Sequence, residues 1–217
     1  NLAPNPSFEK FLVCPKEVNH KRQLYIADWL QATSGSVDYF HGCSETCGTP
    51  SNTKGNQVPK TGEAYIGMYL FRDYYREYIQ AQLKEKLVAG ETYYVEFSVS
   101  LAESSGLAIG NIGALITPDK VSSRMENALQ CIEVIKTGGR PITKKKICET
   151  QISNPSNQII LDTDNWIKIS GTFVAKGGEE YITIGNFNPV KQIPFKKVNA
   201  NRDLSAYYYV DDIIVTK

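Results

Sequence analysis

Two adjacent carboxylates, Asp211 and Asp212, interrupt the closing stretch SAYYYVDDIIVTK, which otherwise reads as a strand of tyrosines, valines and isoleucines. Neighbouring strand residues point to opposite faces, so one of the two should face inward or toward a sheet edge, where a bare carboxylate is costly. Something must compensate it. Five cysteines, Cys14, Cys43, Cys47, Cys131 and Cys148, are the other chemistry-bearing set. A zinc site competes with disulfides, but Cys43 and Cys47 have no second close pair, and the only histidines are His20 and His41. Two disulfides and one odd thiol are therefore expected, which suits an exported protein. FLVCP leaves the opening segment where DYFHGC can return, so Cys14 should pair with Cys43. Cys131 and Cys148 should staple the excursion between them, leaving Cys47 over.

No catalytic pattern emerges. The histidines offer neither a nucleophile elbow nor a metal pair on a helix. Glu45, Glu63, Asp73, Glu77, Glu96 and Glu103 are scattered, and glycosidase chemistry depends on a carboxylate separation that sequence does not set. GLAIGNIG lacks the spacing and the following helix of a dinucleotide cradle. The expectation is a protein that binds rather than catalyses.

The elements that must position these residues read as strands. YYREYIQAQL and TYYVEFSVSL alternate with period two, placing Val95, Phe97, Val99 and Leu101 opposite Tyr94, Glu96, Ser98 and Ser100. AIGNIGALI, WIKISGTFVA, YITIGNF and YYYVDDIIV continue the pattern, with turns such as KGGEE between them. Strands without intervening helical periods point to an all-β, antiparallel sandwich or jelly roll. Val95, Phe97, Val99, Ile169, Phe173 and Ile184 should fill its core.

At 217 residues one such domain accommodates the whole chain, residues 1–217. Within it, about 14–62 is loop-rich and about 118–158 is an irregular excursion, whose first part could form a short helix and whose basic end, toward Lys146, should be solvated. The net charge of +1 gives no field to gather nucleic acid or anionic lipid. Apolar runs such as DDIIV and IGALI fall far short of the ~20 residues of a membrane helix. A start at Asn1, without methionine or leader, suits a mature exported chain.

NLAPNPSFE at the start and YYYVDD at the end resemble the terminal strands of jelly-roll carbohydrate-binding modules of the galactose-binding-like fold. DYFHGC, VPKTGEAYIGMY, YREYIQAQL, LVAGETYYVEFSVSLAESS, NIGALI and NWIKISGTFVAKGGEEYITIGNF extend the likeness over most of the chain. They are similar to exported modules of Gram-negative bacteria, often fused to an outer-membrane-protein-A-like domain. The resemblance implies a non-catalytic carbohydrate-binding module at the cell envelope, outer-membrane-associated, periplasmic or at the cell surface. The rival is a structural or protein-interaction module of an envelope, adhesion or secretion assembly.

It also implies a structural calcium where the termini meet, held by the carboxylates of Glu9 and Asp211 and by donors around Asn5 and Glu63 in the KTGEAY turn, with Asp212 facing away. Physically, a hard cation takes six to eight oxygens and would compensate two carboxylates brought together. In such modules a sugar lies across a sheet face or on edge loops. The sheet-face candidates are Arg76, Tyr78 and Gln80 with Ser98, Ser100 and Asn111; the edge candidates are Tyr69, Phe71, Arg72, Tyr74 and Tyr75. Sugars pack apolar faces on aromatic rings and pair hydroxyls with Arg, Asn and Gln.

Overall fold

The computed structural model describes residues 1–18, 25–123, 129–135, 142–155 and 158–217. Its strands are β1 (Trp29–Gln31), β2 (Asp38–His41), β3 (Ser51–Asn52), β4 (Gly55–Asn56), β5 (Ala64–Arg72), β6 (Ile79–Gln82), β7 (Thr92–Leu101) and β8 (Leu107–Ile109). They continue with β9 (Gly113–Thr117), β10 (Gln130–Ile135), β11 (Ile142–Ile147), β12 (Ile152–Ser153), β13 (Ile167–Val174), β14 (Tyr181–Gly185), β15 (Phe195–Lys197) and β16 (Ser205–Thr216).

Two five-stranded antiparallel sheets carry the fold, in the orders β1-β6-β14-β9-β12 and β13-β7-β16-β5-β2. They are named here the β6 sheet and the β7 sheet. Along the chain β5, β6, β7, β9, β13, β14 and β16 alternate between the two sheets, the connectivity of a jelly roll. The expected alternation is what drives this: Val95, Phe97, Val99 and Leu101 of β7 meet Ile79, Ala81, Ile182 and Ile184 of the opposite sheet in one contiguous apolar core. Ile169 joins them as expected, whereas Phe173, near the end of edge strand β13, is only half-buried. Among the described residues no helix is long and apolar enough to cross a membrane.

Each sheet also carries a covered patch on its outer face. On the β7 sheet, Phe40, Tyr65, Tyr207 and Tyr209 pack against Cys47 of the loop-rich region. On the β6 sheet, Leu115 of β9 and Ala32, Tyr78 and Phe187 beside its strands pack against Leu129 and Cys148 of the excursion. The excursion is more ordered than its composition implies, since β10 and β11 pair from Gln130↔Ile147 to Ile135↔Ile142. Residues 120–123 are not helical; the rest of the expected helix, at 124–128, lies outside the described residues, as do 136–141 and His20. Both expected disulfides form, Cys14–Cys43 and Cys131–Cys148, and Cys47 is a buried free thiol.

Candidate functional site

The two termini run side by side. Leu2 N–H donates to Val215 O (2.7 Å), Val215 N–H to Asn1 Oδ1 (2.9 Å) and Ile213 N–H to Pro6 O (3.0 Å). Asp211 and Asp212 do not occupy opposite faces, because β16 bulges there: Asp212 has φ +53° and the register with β7 shifts between Asp211 and Ile214. Val210 and Ile213 both face the core, so the two carboxylates between them share the outer side.

Both take N–H and O–H donors as partners. Lys60 and Thr61 N–H donate to Asp211 Oδ2 (2.9 and 3.3 Å), and Asp212 N–H donates to Oδ1 (2.7 Å). Asp212 accepts from Ser7 Oγ and Thr61 Oγ1 (2.7 and 2.5 Å). Glu9 accepts from the N–H groups of Glu63 and Ala64 (3.1 Å), its carboxyl lying over Gly62, which has no Cβ to block it. Asn5 spends its side chain on Lys10 and Ala27.

The KTGEAY turn therefore presents amide hydrogens to these carboxylates, not the carbonyl donors expected of it. No group of three or more His, Cys, Asp or Glu side chains converges among the described residues. In this arrangement Glu9, Asp211 and Asp212 are met by N–H and O–H donors.

The sheet-face candidates are not brought together. Ser98 and Ser100 belong to β7, whereas Gln80 is in the opposite sheet and Arg76 and Tyr78 precede it; all five are buried. The strand begins later than the alternation predicted, at Ile79. Gln80 does face outward with Thr183 and Leu115, but the excursion covers that row: Gln80 Nε2 donates to Val121 O (3.1 Å) and Val121 N–H donates to Gln80 Oε1 (2.8 Å). Tyr78 Oη donates to Asn186 O and accepts from Leu129 N–H (2.7 and 3.0 Å). Asn111, at φ +60°, reaches Gln192 O instead (3.1 Å).

The edge candidates do form a pocket. The chain reverses at Arg72–Tyr75, with paired backbone bonds between those two residues and Asp73 at φ +50°. Tyr69, Arg72, Asp73, Tyr74 and Tyr75 line a hollow of about 360 Å3, while Phe71 packs against the core. The Arg72 guanidinium lies 5.3 Å from the Tyr69 ring centre, and Tyr74 is 79% exposed.

Beneath it, Glu77 accepts from Tyr69 N–H (2.7 Å) and Tyr75 Oη (2.5 Å), which fixes both walls. Burial, then the nearby Asp38, pushes the Glu77 carboxyl up to about 8. Lys54 Nζ donates to Tyr69 Oη (3.0 Å) and sits over the Tyr69 and Tyr207 rings.

A larger groove, of about 850 Å3, was not anticipated from the sequence. It lies where cover of the β6 sheet stops. One step along from the covered Gln80–Thr183 pair, Gln82 of β6 stands beside Tyr181 of β14, on the same outer side. Leu30 of the edge strand β1 and Leu12 form apolar walls, 44% and 63% exposed. Ile26, Trp29 and Leu83 close the floor; Asp28, Gln31 and Lys120 add polar groups. The Gln80/Gln82 parity was readable in the sequence, but strand neighbours were not.

No protein-family model matches the chain, and no curated protein matches it. Solved structures resemble it at low identity. The CBM22-1 xylan-binding domain of Paenibacillus barcinonensis Xyn10C is 14% identical, over 97% of this chain and 90% of that one, with a TM-score of 0.43. The module TmCBM61, solved with beta-1,4-galactotriose, is 15% identical over 100% and 98% of the chains, with a TM-score of 0.38. The K2 cleaved adhesin domain of Lys-gingipain is 10% identical over 98% and 96%, with a TM-score of 0.42.

Proposed function

We propose that this protein is a non-catalytic carbohydrate-binding module, exported to the bacterial cell envelope, that holds a glycan chain in the groove beside β1. The observation that carries this is the groove itself. Its length of open sheet face sets the half-buried Tyr181 ring and the Leu12 and Leu30 walls beside the planar amides of Gln31 and Gln82. Pyranose rings stack their C–H faces on such surfaces and pair their hydroxyls with amides and carboxylates. Among the described residues Asp28 is the one acid lining the groove, where glycoside hydrolysis uses two. The two disulfides suit an oxidising compartment outside the cytoplasm.

Titrating a broad panel of soluble oligosaccharides, read by chemical shifts of Tyr181 and its neighbours, tests this. Tyr181→Ala and Gln82→Ala should each weaken binding about tenfold or more, without lowering the melting temperature. A panel in which nothing binds more tightly than about 1 mM, roughly 4 kcal/mol, would remove the reading. The exposed side chains of Phe11, Leu12, Val13 and Leu30 favour a second reading, a protein-interaction module, which would then take its place.

A further inference from the structure

Arg76 is wholly buried, and its charge is left open on one side. Nη1 donates to two backbone carbonyls, Asn186 O (2.9 Å) and Asn188 O. Nε and Nη2 have no hydrogen-bond partner. Among buried side-chain nitrogens and oxygens of the described residues these two alone lack one. Carbonyls supply dipoles but no countercharge, and a guanidinium does not deprotonate to escape burial. Burial disfavours its charged form, and among the described residues the only group acting the other way is the phenol of Tyr78, with no carboxylate beside it. Neighbouring acceptors are already committed. Tyr78 Oη donates to Asn186 O, and the Asn186 side chain bonds Gly110 O and Asn188 N–H.

The position of the two open donors matters more than their number. In a guanidinium, the Nε–H and one Nη2–H point the same way, forming the side-on fork that matches a carboxylate or chelates a small anion. Carbonyls hold the far nitrogen and leave that fork entire. We infer that the Nε–Nη2 edge of Arg76 is a buried anion site, occupied by a small monovalent anion: a halide or a simple carboxylate. The ion completes a clasp between the segment entering β6 and the segment leaving β14, at residues 186–188. This site is independent of the groove and of what the groove binds.

The test is thermal melting of the full chain in sodium gluconate, exchanged stepwise for chloride or formate at constant ionic strength. A ligand of the folded state alone adds stability with the logarithm of its concentration, so each tenfold increase above its Kd should raise the melting temperature by about 3–5 °C. A response to chloride alone marks a spherical ion, and a stronger response to formate marks an oxyanion in the fork; either supports the site. Arg76→Met, which keeps the volume and removes the charge, should melt at the same temperature in all three salts. A wild-type melt indifferent to anion identity overturns the proposal, as does an equal response in Arg76→Met. Should that variant fail to fold, crystals of the wild type grown in bromide decide. An anomalous peak within hydrogen-bond reach of Nε and Nη2 upholds the site, and its absence overturns it.

Discussion

Replacing Asp211 by Asn should remove about half of the dependence of stability on pH between about 4 and 8, the other half belonging to Glu77. Asp211 is fully buried; burial, and next the charge of Asp212, push its carboxyl from an ordinary 3.8 up to about 8, against hydrogen bonds from the N–H groups of Asp212, Thr61 and Lys60. The folded chain thus keeps a proton that the unfolded chain has released. Stability is complete below pH 4 and is lost as pH rises toward 8. A gap of about 4 pH units, at about 1.4 kcal/mol each, amounts to about 6 kcal/mol, a large share of the 5–15 kcal/mol typical of a domain.

Urea denaturation across that range should therefore show wild-type unfolding free energy falling steeply. Glu77, raised in the same direction by burial and Asp38, contributes a parallel fall, which remains in Asp211→Asn. A calcium ion shared by Glu9 and Asp211 would do the opposite. It would keep Asp211 ionised, make stability rise with pH, and make the melt sensitive to chelation. Parallel wild-type and variant profiles, or a melt lowered by chelator and restored by calcium, would refute the account of Asp211 as a buried carboxyl that keeps its proton.

Three further outcomes follow from packing. At Gly67, a Cβ would stand 2.2 Å from Tyr207 Oη, whose buried ring is pinned to Asp38 at 2.6 Å, so Gly67→Ala should cost about 3 kcal/mol and lower the melting temperature by about 6–12 °C. An unchanged melt would mean that β5 and β16 separate at little cost. Replacing Cys131 and Cys148 together by Ser opens a loop of sequence separation 17, worth about 3 kcal/mol, and should speed amide exchange at Leu129 while sparing β7; uniform protection in both proteins would contradict this. Cys47 is 1% exposed and burial pushes its thiol pKa up, so an aromatic disulfide reagent should label it only on unfolding, and rapid native labelling would be the contrary result.

Local pattern was enough for the strands and their inward residues. Val95, Phe97 and Val99 alternate with polar neighbours, and a period of two has only one way to bury its apolar half. The cysteine pairs were also legible, because DYFHGC can return to where FLVCP leaves the opening segment and Cys131 and Cys148 bracket the excursion.

Tertiary structure decided the rest. The outward parity of Gln80 was correct, yet its exposure was not: the cover comes from residues about 40 positions later, through Val121. The strand reading of Asp211 and Asp212 failed because a bulge is set by register with β7 and by donors from the turn at Lys60 and Thr61, not by the two aspartates themselves. The groove has no signature of its own in the chain. Gln82 and Tyr181, 99 positions apart, become neighbours only through the β6–β14 register, and they stay open because the excursion ends its cover one row away. Periodicity reports which face a side chain takes; what lies over that face is a property of distant segments, and there the binding surface is made.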